Sequence, residues 1–579
     1  MDLTSLSEYL FTAGILIAFV GTIFSAVMER RHIAKILKGS GIRRRHVIGA
    51  VIVALIFLTT EIAIVKPTQL LFFDDTIYQG GAVSLLSSGQ AWMCNYGNPH
   101  TCYSGQIFHE PIGASFILAI GFAIFGVHLA VTYGVMLTVT FAAVLMIFLV
   151  GTLLLEDPVA GIFSGLILGL TPVVLVWAFP TTSDMPMMLF SLVAMFFLLV
   201  FIKRKSIYTF AAMLLSISLV TYFKVDALIY PPLFLVLFLI LDRNGIRNNF
   251  KRFRRNILET GFLIVIFVFV LSILPEAIYT FTQYTSASYG LGQMVYVTQS
   301  CSASAGSFNP THNLGLQNFE ANFCTNALFW FNTYKNEYIM QPLLYTLLAI
   351  AGGVAMIVFR KKREFLALLV WFGTFFAIYT SFYAGSVQFG VDWRFMLATM
   401  PPVAIAGGYI ASLPFLRGAK NRKKARLRSG FAKALRIALY AVIVFIIFYP
   451  LYAMEPLLSI SPSQIPQAGN ARFYEAFVYN NVSKVPASCL IFSYDPTLMI
   501  INNRTSDQLG NLYPQDYSTY KSQYNCLVVD WGYWCFTPNN YCSVIKSEFN
   551  LRSIVNSTYT PENQTYGFYY ITGLKNGSA

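Results

Sequence analysis

Asp74 and Asp75 stand side by side in Leu71-Phe72-Phe73-Asp74-Asp75-Thr76-Ile77-Tyr78, immediately after a long apolar stretch. Carboxylates are costly at the edge of a hydrocarbon layer. One placed there can take a proton from an incoming hydroxyl or help hold a divalent cation. Four more groups of this kind follow. His109 and Glu110 precede Pro111-Ile112-Gly113, and Asp184 lies in Thr182-Ser183-Asp184-Met185-Pro186. Lys224 and Asp226 close Thr221-Tyr222-Phe223-Lys224-Val225-Asp226, and Asp392-Trp393-Arg394-Phe395 leads to Pro401-Pro402. Each has an ordinary reading in isolation. Asp75 can cap a helix starting at Thr76, and Asp184 can cap the helix after it. Lys224 can pair with Asp226 or snorkel, Asp392 can pair with Arg394, and His109 and Glu110 can be interfacial polar residues. Taken together they supply bases for a hydroxyl and cations for a phosphate, with Arg394 suited to bidentate phosphate recognition.

The elements that carry these residues are membrane helices. A chain of 579 residues with only 11% charged side chains and a mean hydropathy of +0.59 is no ordinary soluble domain. Apolar runs near 9–28, 47–66, 128–153, 158–179, 186–202, 207–223, 227–241, 258–275, 340–359, 365–383, 395–416 and 434–453 read as about 12 spans. Most of the 40 Lys and Arg cluster at 30–45, 203–205, 243–255, 360–363 and 417–436, each beside an apolar run. That is the positive-inside pattern, so the +14 charge marks the cytoplasmic side rather than a nucleic-acid surface. A crossing at 111–126 would export four basic loops. This stretch is therefore expected to be a juxtamembrane or re-entrant helix, like the shorter one at 76–88.

Cysteines and sequons fall on the opposite side. Cys94 and Cys102, Cys301 and Cys324, and Cys489, Cys526, Cys535 and Cys542 form even groups outside the apolar runs, as disulfide candidates in an oxidising compartment. The last four leave three connectivities open. Asn481, Asn503, Asn556, Asn563 and Asn576 each begin an N-x-S/T sequon. The expected layout is a transmembrane catalytic domain over 1–453, with external loops 67–127 and 276–338, followed by an extracytoplasmic α/β domain over 454–579.

The order of motifs resembles a known family. Asp74-Asp75-Thr76-Ile77-Tyr78, then His109 to Gly113, Asp184-Met185-Pro186, Lys224, and Arg394-Phe395 before Pro401-Pro402 look like the series found in protein O-mannosyltransferases and aminoarabinose transferases, glycosyltransferases of the C type. The resemblance covers roughly 47–416. It implies a polyprenyl-phosphate (dolichyl-phosphate-type) sugar donor, inversion at the anomeric carbon and external juxtamembrane helices. By position Asp74 would be the catalytic carboxylate, with Asp75 beside it and Asp184 near the site. His109, Lys224 and Arg394 would lie near the donor phosphate, and Tyr78, Glu110, Asp226 and Asp392 are further candidates. The acceptor would be a hydroxyl on a glycan, protein or lipid. No cofactor is required. A divalent cation has a candidate seat at Asp74, Asp75 and Glu110, and no zinc, Walker or dinucleotide pattern is present. The expected location is a cell membrane, with active site and C-terminal domain extracytoplasmic.

Glu110 replaces the family's usual proline, Asp75 its common Glu, and the first span is an extra one. Val529-Asp530-Trp531-Gly532-Tyr533-Trp534 shares residue types, in another order, with the Trp-Trp-Asp-Tyr-Gly motif of oligosaccharyltransferases, so oligosaccharide transfer is one alternative. A lipid or solute transporter is another, although transporters place charge and helix breaks near the midplane. A non-catalytic surface receptor is a third.

Overall fold

Long apolar runs punctuated by Pro, Gly and charge dictate helices, and the computed structural model describes residues 3–65, 67, 72–90, 111–242, 260–285, 343–381, 392–420, 441–449, 466–536 and 541–575. The chain divides into two units. The first comprises Met1–Lys66, Leu137–Ala178 and Ser183–Ser459; the second comprises Pro67–Met136, Phe179–Thr182 and Ile460–Ala579. The division differs from a cut at 453/454, because Pro67–Met136 groups with the C-terminal region.

The first unit is helical. It contains α1 (Leu3–Gly39) and α2 (Arg44–Ala63), and α3 (Phe72–Ser88) and α4 (Gly113–Phe125) fall in the second unit. Helix α5 (Leu129–Leu155) is divided between the two, and α6 (Pro158–Gly169), α7 (Pro172–Val176), α8 (Asp184–Lys203), α9 (Ile207–Thr221) and α10 (Tyr230–Leu241) follow. Then come α11 (Thr260–Thr285), α12 (Leu343–Val358), α13 (Lys362–Ser381) and α14 (Met400–Lys420). Among the described residues, five helices are long and apolar enough to cross a membrane: Leu10–Gly39, Arg44–Ala63, Leu129–Leu155, Asp184–Lys203 and Thr260–Tyr279. The run 158–179, expected as one span, breaks into α6 and α7. Pro172 cannot donate a helical hydrogen bond and holds Thr171 extended at ψ 124°. The run 395–416 likewise starts as a 3-10 segment, Asp392–Thr399, before α14 takes Pro401 and Pro402 into its first turn.

Helix α8 is apolar all round and almost wholly buried, which makes it a core helix. Exposed apolar side chains along α1, α2 and α11, including Val20, Ile52 and Phe267, suit lipid contact. Helix α14 meets its neighbours backbone to backbone: a Cβ on Gly408 would lie 2.7 Å from the Ala160 carbonyl oxygen of α6. Three consecutive basic residues after α8 each find a different carboxylate. Lys203 pairs with Glu156 at 3.0 Å, Arg204 with Glu29 of α1 at 3.1 Å, and Lys205 with Asp242 at the end of α10.

In the second unit α3 and α4 pack through Tyr78, Ala82, Ala114, Leu118, Ala119 and Phe122. At 13 residues α4 spans about 20 Å, short of a hydrocarbon core of about 30 Å. The C-terminal part has α15 (Pro466–Asn481), β1 (Cys489–Ser493), α16 (Pro496–Ile501), β2 (Ser506–Gln508), α17 (Tyr517–Gln523), β3 (Cys526–Trp531), α18 (Tyr541–Glu548), β4 (Phe549–Tyr559) and β5 (Gln564–Leu574). The sheet order is β2-β1-β3-β5-β4, with β1 parallel to β2 and β3 and the other pairs antiparallel. Strand β1 is buried on both faces, as a central parallel strand requires. Disulfides join Cys489 to Cys526 and Cys535 to Cys542. Cys94, Cys102, Cys301 and Cys324 lie outside the described residues.

Candidate active site

Asp184, Lys224 and Arg394 are far apart in sequence, and the first unit brings them together. Asp184 occupies the first turn of α8, where free amides and the helix dipole favour a negative charge. The chain leaves α9 at Tyr222 and turns extended at Lys224 (φ −156°, ψ 148°) before the 3-10 segment Val225–Ile229. Lys224 Nζ donates to Asp184 Oδ1 at 2.7 Å. Arg394, on the Asp392–Thr399 segment, places Nε 3.7 Å from Asp184 Oδ2, an ion pair without a hydrogen bond. The side chain of Asp184 is 1% exposed, Lys224 7% and Arg394 14%. Charges so buried are stable only as a set: removing one member of such a pair typically costs about 3–5 kcal/mol. Lys224 and Arg394 thus both pair with Asp184. Asp226 and Asp392 lie in the two 3-10 segments, and their side chains are outside the described residues.

In the second unit α3 begins at Phe72, so Asp75 is not an N-cap. Both Asp74 and Asp75 fall in the first turn, where unpaired amides attract carboxylates. The Asp74 side chain is outside the described residues; that of Asp75 is fully buried. Helix α3 is held from two sides. Ser115 Oγ of α4 donates to the Tyr78 carbonyl at 2.9 Å, and Gln79 Nε2 donates to Thr181 Oγ1 at 3.2 Å. The Tyr78 ring packs into the α3–α4 core. His109 and Glu110 lie outside the described residues. Among the described residues no three His, Cys, Asp or Glu side chains are grouped to hold a metal ion, and the candidate cation seat draws on Asp74 and Glu110, whose side chains lie outside them.

The second unit also holds a buried acidic pair that sequence reasoning missed. Asp530 of β3 accepts from Ser493 Oγ at 2.7 Å and from the Tyr474 hydroxyl. Burial outweighs those bonds and pushes the Asp530 carboxyl up to about 7. Asp495, just before α16, is raised well above the carboxylate range by burial and by Asp530. The Thr76 hydroxyl of α3 and the Leu498 and Thr497 amides pull it partly back, without reaching hydrogen-bond geometry. Asp530 belongs to the aromatic segment compared above with oligosaccharyltransferases. Its burial, with Trp534 stacked on Tyr494 at 5.5 Å, makes it part of the domain core. Two carboxylates within apolar helices also escaped the sequence reading: Glu61 of α2 and Glu276 of α11, both fully buried. A lone Glu inside an apolar run was the available signal.

Residues 109–274 match the family described as dolichyl-phosphate-mannose-protein mannosyltransferase, a stretch that includes Asp184 and Lys224 and ends before Arg394. ArnT from Cupriavidus metallidurans, solved bound to undecaprenyl phosphate, aligns with 91% of this chain and 98% of its own at 13% identity and a TM-score of 0.51. The chain folds like ArnT. The oligosaccharyltransferase AglB from Archaeoglobus fulgidus, solved with an inhibitory peptide and a dolichol-phosphate, aligns over 90% of this chain and 74% of its own at 13% identity and a TM-score of 0.49. These matches fall in the glycosyltransferase C superfamily that the ordered motifs resemble. No curated protein matches the sequence.

Proposed function

We propose that the protein is an inverting membrane glycosyltransferase that moves a sugar from a polyprenyl-phosphate donor to an acceptor hydroxyl on the extracytoplasmic face. The observation that carries this reading is the meeting of Lys224 and Arg394 around Asp184. Two buried cations held by one carboxylate form a preorganised seat for phosphate oxygens, and they offset charge as the lipid phosphate departs. Asp184 fixes the lysine and keeps the cations from repelling each other while the seat is empty.

In the second unit the first turn of α3 presents Asp74 and Asp75. Asp74 takes the proton of the acceptor hydroxyl as its oxygen attacks C1 through an oxocarbenium-like transition state, and the lipid phosphate leaves with the bonding pair. The family match supports a sugar donor linked to a dolichyl-type phosphate. The undecaprenyl phosphate bound to ArnT supports a polyprenyl-phosphate ligand for this fold. The basic loops, cysteines and sequons support the orientation.

The test is transfer of radiolabel from a panel of polyprenyl-phosphate sugars by purified protein with native membrane extract, beside Asp74→Asn. Label leaving the lipid with wild type and not with the variant supports the reading, and the labelled product identifies the acceptor class. An equally active variant removes Asp74 from the mechanism. A wild type that consumes no donor while the Asp184 trio binds no polyprenyl phosphate overturns the assignment.

A further inference from the structure

We infer that the extra first helix, α1, together with α11, sets the position of Lys224 through a lock made by Gly14, Tyr222 and Ser272. The inference rests on Lys224 being a phosphate-binding residue. Lys224 follows directly on two anchored aromatic residues. Phe223 stacks on Phe190 of α8, ring centroids 4.9 Å apart and planes 12° from parallel, so it is fastened to the helix that carries Asp184. Tyr222, fully buried, sends its hydroxyl the other way and donates to the Ser272 carbonyl of α11 at 2.5 Å. One turn earlier on α9, Ser218 Oγ accepts from Ser272 Oγ at 2.8 Å, so both bonds leave the same face of the chain.

The bonded carbonyl lies where α11 is locally weakened. Pro275, inside the helix, has no amide to give to the Leu271 carbonyl, which is the usual cause of a kink. Helix α1 closes the third side. A Cβ built on Gly14 would overlap the Tyr222 hydroxyl and stand 3.0 Å from the Ser272 carbonyl oxygen. Only glycine leaves room there for the hydroxyl to reach α11. Nothing in this arrangement is needed to keep a tyrosine ring buried; the glycine and the carbonyl serve the hydroxyl. Since Lys224 is two residues beyond Tyr222, across a hydrogen-bonded turn, a shift of the ring moves the lysine ammonium relative to Asp184. Tyr222 and Gly14 are thus positioning residues that act through Lys224.

The experiment measures binding of undecaprenyl phosphate to full-length protein in lipid nanodiscs, with Lys224→Ala, Gly14→Ala, Tyr222→Phe and their combinations. Lys224→Ala should weaken binding by at least tenfold. Gly14→Ala should weaken it about tenfold and Tyr222→Phe by less, the scale of one buried hydrogen bond. Removing the hydroxyl takes away the worst overlap and leaves tight contacts to the Ser272 carbonyl and the ring, so Gly14→Ala/Tyr222→Phe should bind better than Gly14→Ala alone and recover toward the level of Tyr222→Phe, a coupling typical of residues in contact. In the Lys224→Ala background neither change should weaken binding further, which separates positioning from general loss of stability. The lock is overturned if Gly14→Ala and Tyr222→Phe both bind like wild type, if the double variant is not rescued, or if the losses persist without Lys224. Full-strength binding by Lys224→Ala overturns the phosphate-site reading itself. Should Gly14→Ala fail to fold, Tyr222→Phe with and without Lys224 still decides.

Discussion

The two units bury acidic groups in opposite ways. In the helical unit Asp184 is met by two cations; in the other unit Asp530 is met by two hydroxyls, from Tyr474 and Ser493, with a second carboxyl, Asp495, nearby. A carboxylate between two cations holds both in place and relieves their mutual repulsion. A carboxyl with hydroxyls is eased toward its neutral form by burial, which outweighs the two bonds it accepts. On the proposed function the first arrangement is a seat for a phosphate, whereas the second lies in a domain core and binds its stability to pH.

The sharpest way to break the contrast is to remove the charge on each side. Asp184→Asn strands Lys224 and Arg394, so it should cost about 3–5 kcal/mol and, on the proposed function, lower donor turnover by roughly 10²–10³-fold. Thermal unfolding and label transfer would show it. Asp530→Asn should act the other way. The native Asp530 holds a proton up to about pH 7, against 3.8 for the ordinary group. Between about pH 4 and pH 7 the folded state thus keeps a proton that the unfolded chain has released. The associated stability is complete below that window, falls by about 4 kcal/mol as pH rises through it, and is flat above. Hydrogen-exchange protection of β1 and β3 amides, corrected for intrinsic rates, should fall through this window in wild type and fall less steeply in Asp530→Asn, where the buried Asp495 still titrates. An unchanged slope would assign the titration to another group.

Smaller effects sharpen the same comparison. Tyr474→Phe deletes one donor to Asp530 and should cost about 1–2 kcal/mol while raising the carboxyl further. Arg552 lies over the Tyr570 ring, 5.4 Å from its centroid, so a cation of this unit is matched by a ring. Arg552→Ala should cost only about 0.5–1 kcal/mol in the same exchange measurement.

What the sequence revealed follows the same division. Asp184, Lys224 and Arg394 stand out because a charge beside an apolar run is conspicuous, but nothing local says that they meet, since the contact depends on the packing of α8, α9 and the Asp392–Thr399 segment. In a polar domain one more Asp attracts no notice, and the burial of Asp495 and Asp530 emerges only once β1 and β3 lie side by side. The start of α3 was misplaced because Phe72 and Phe73 carry no capping signal, so the helix was expected to begin after the acids. The break in 158–179 was legible in Thr171-Pro172, yet hydropathy outweighed it.

The basic triplet at 203–205 has a history written into it. A growing chain that threads its helices into a bilayer uses bare positive charge to settle which end stays behind. In the finished molecule Lys203, Arg204 and Lys205 are each matched by Glu156, Glu29 and Asp242. The signpost read during insertion is afterwards spent as a three-way fastening between helices, and this loop retains little attraction for anionic headgroups. Glu29 must wait for Arg204, so α1 is fastened at this end only after α8 has been made.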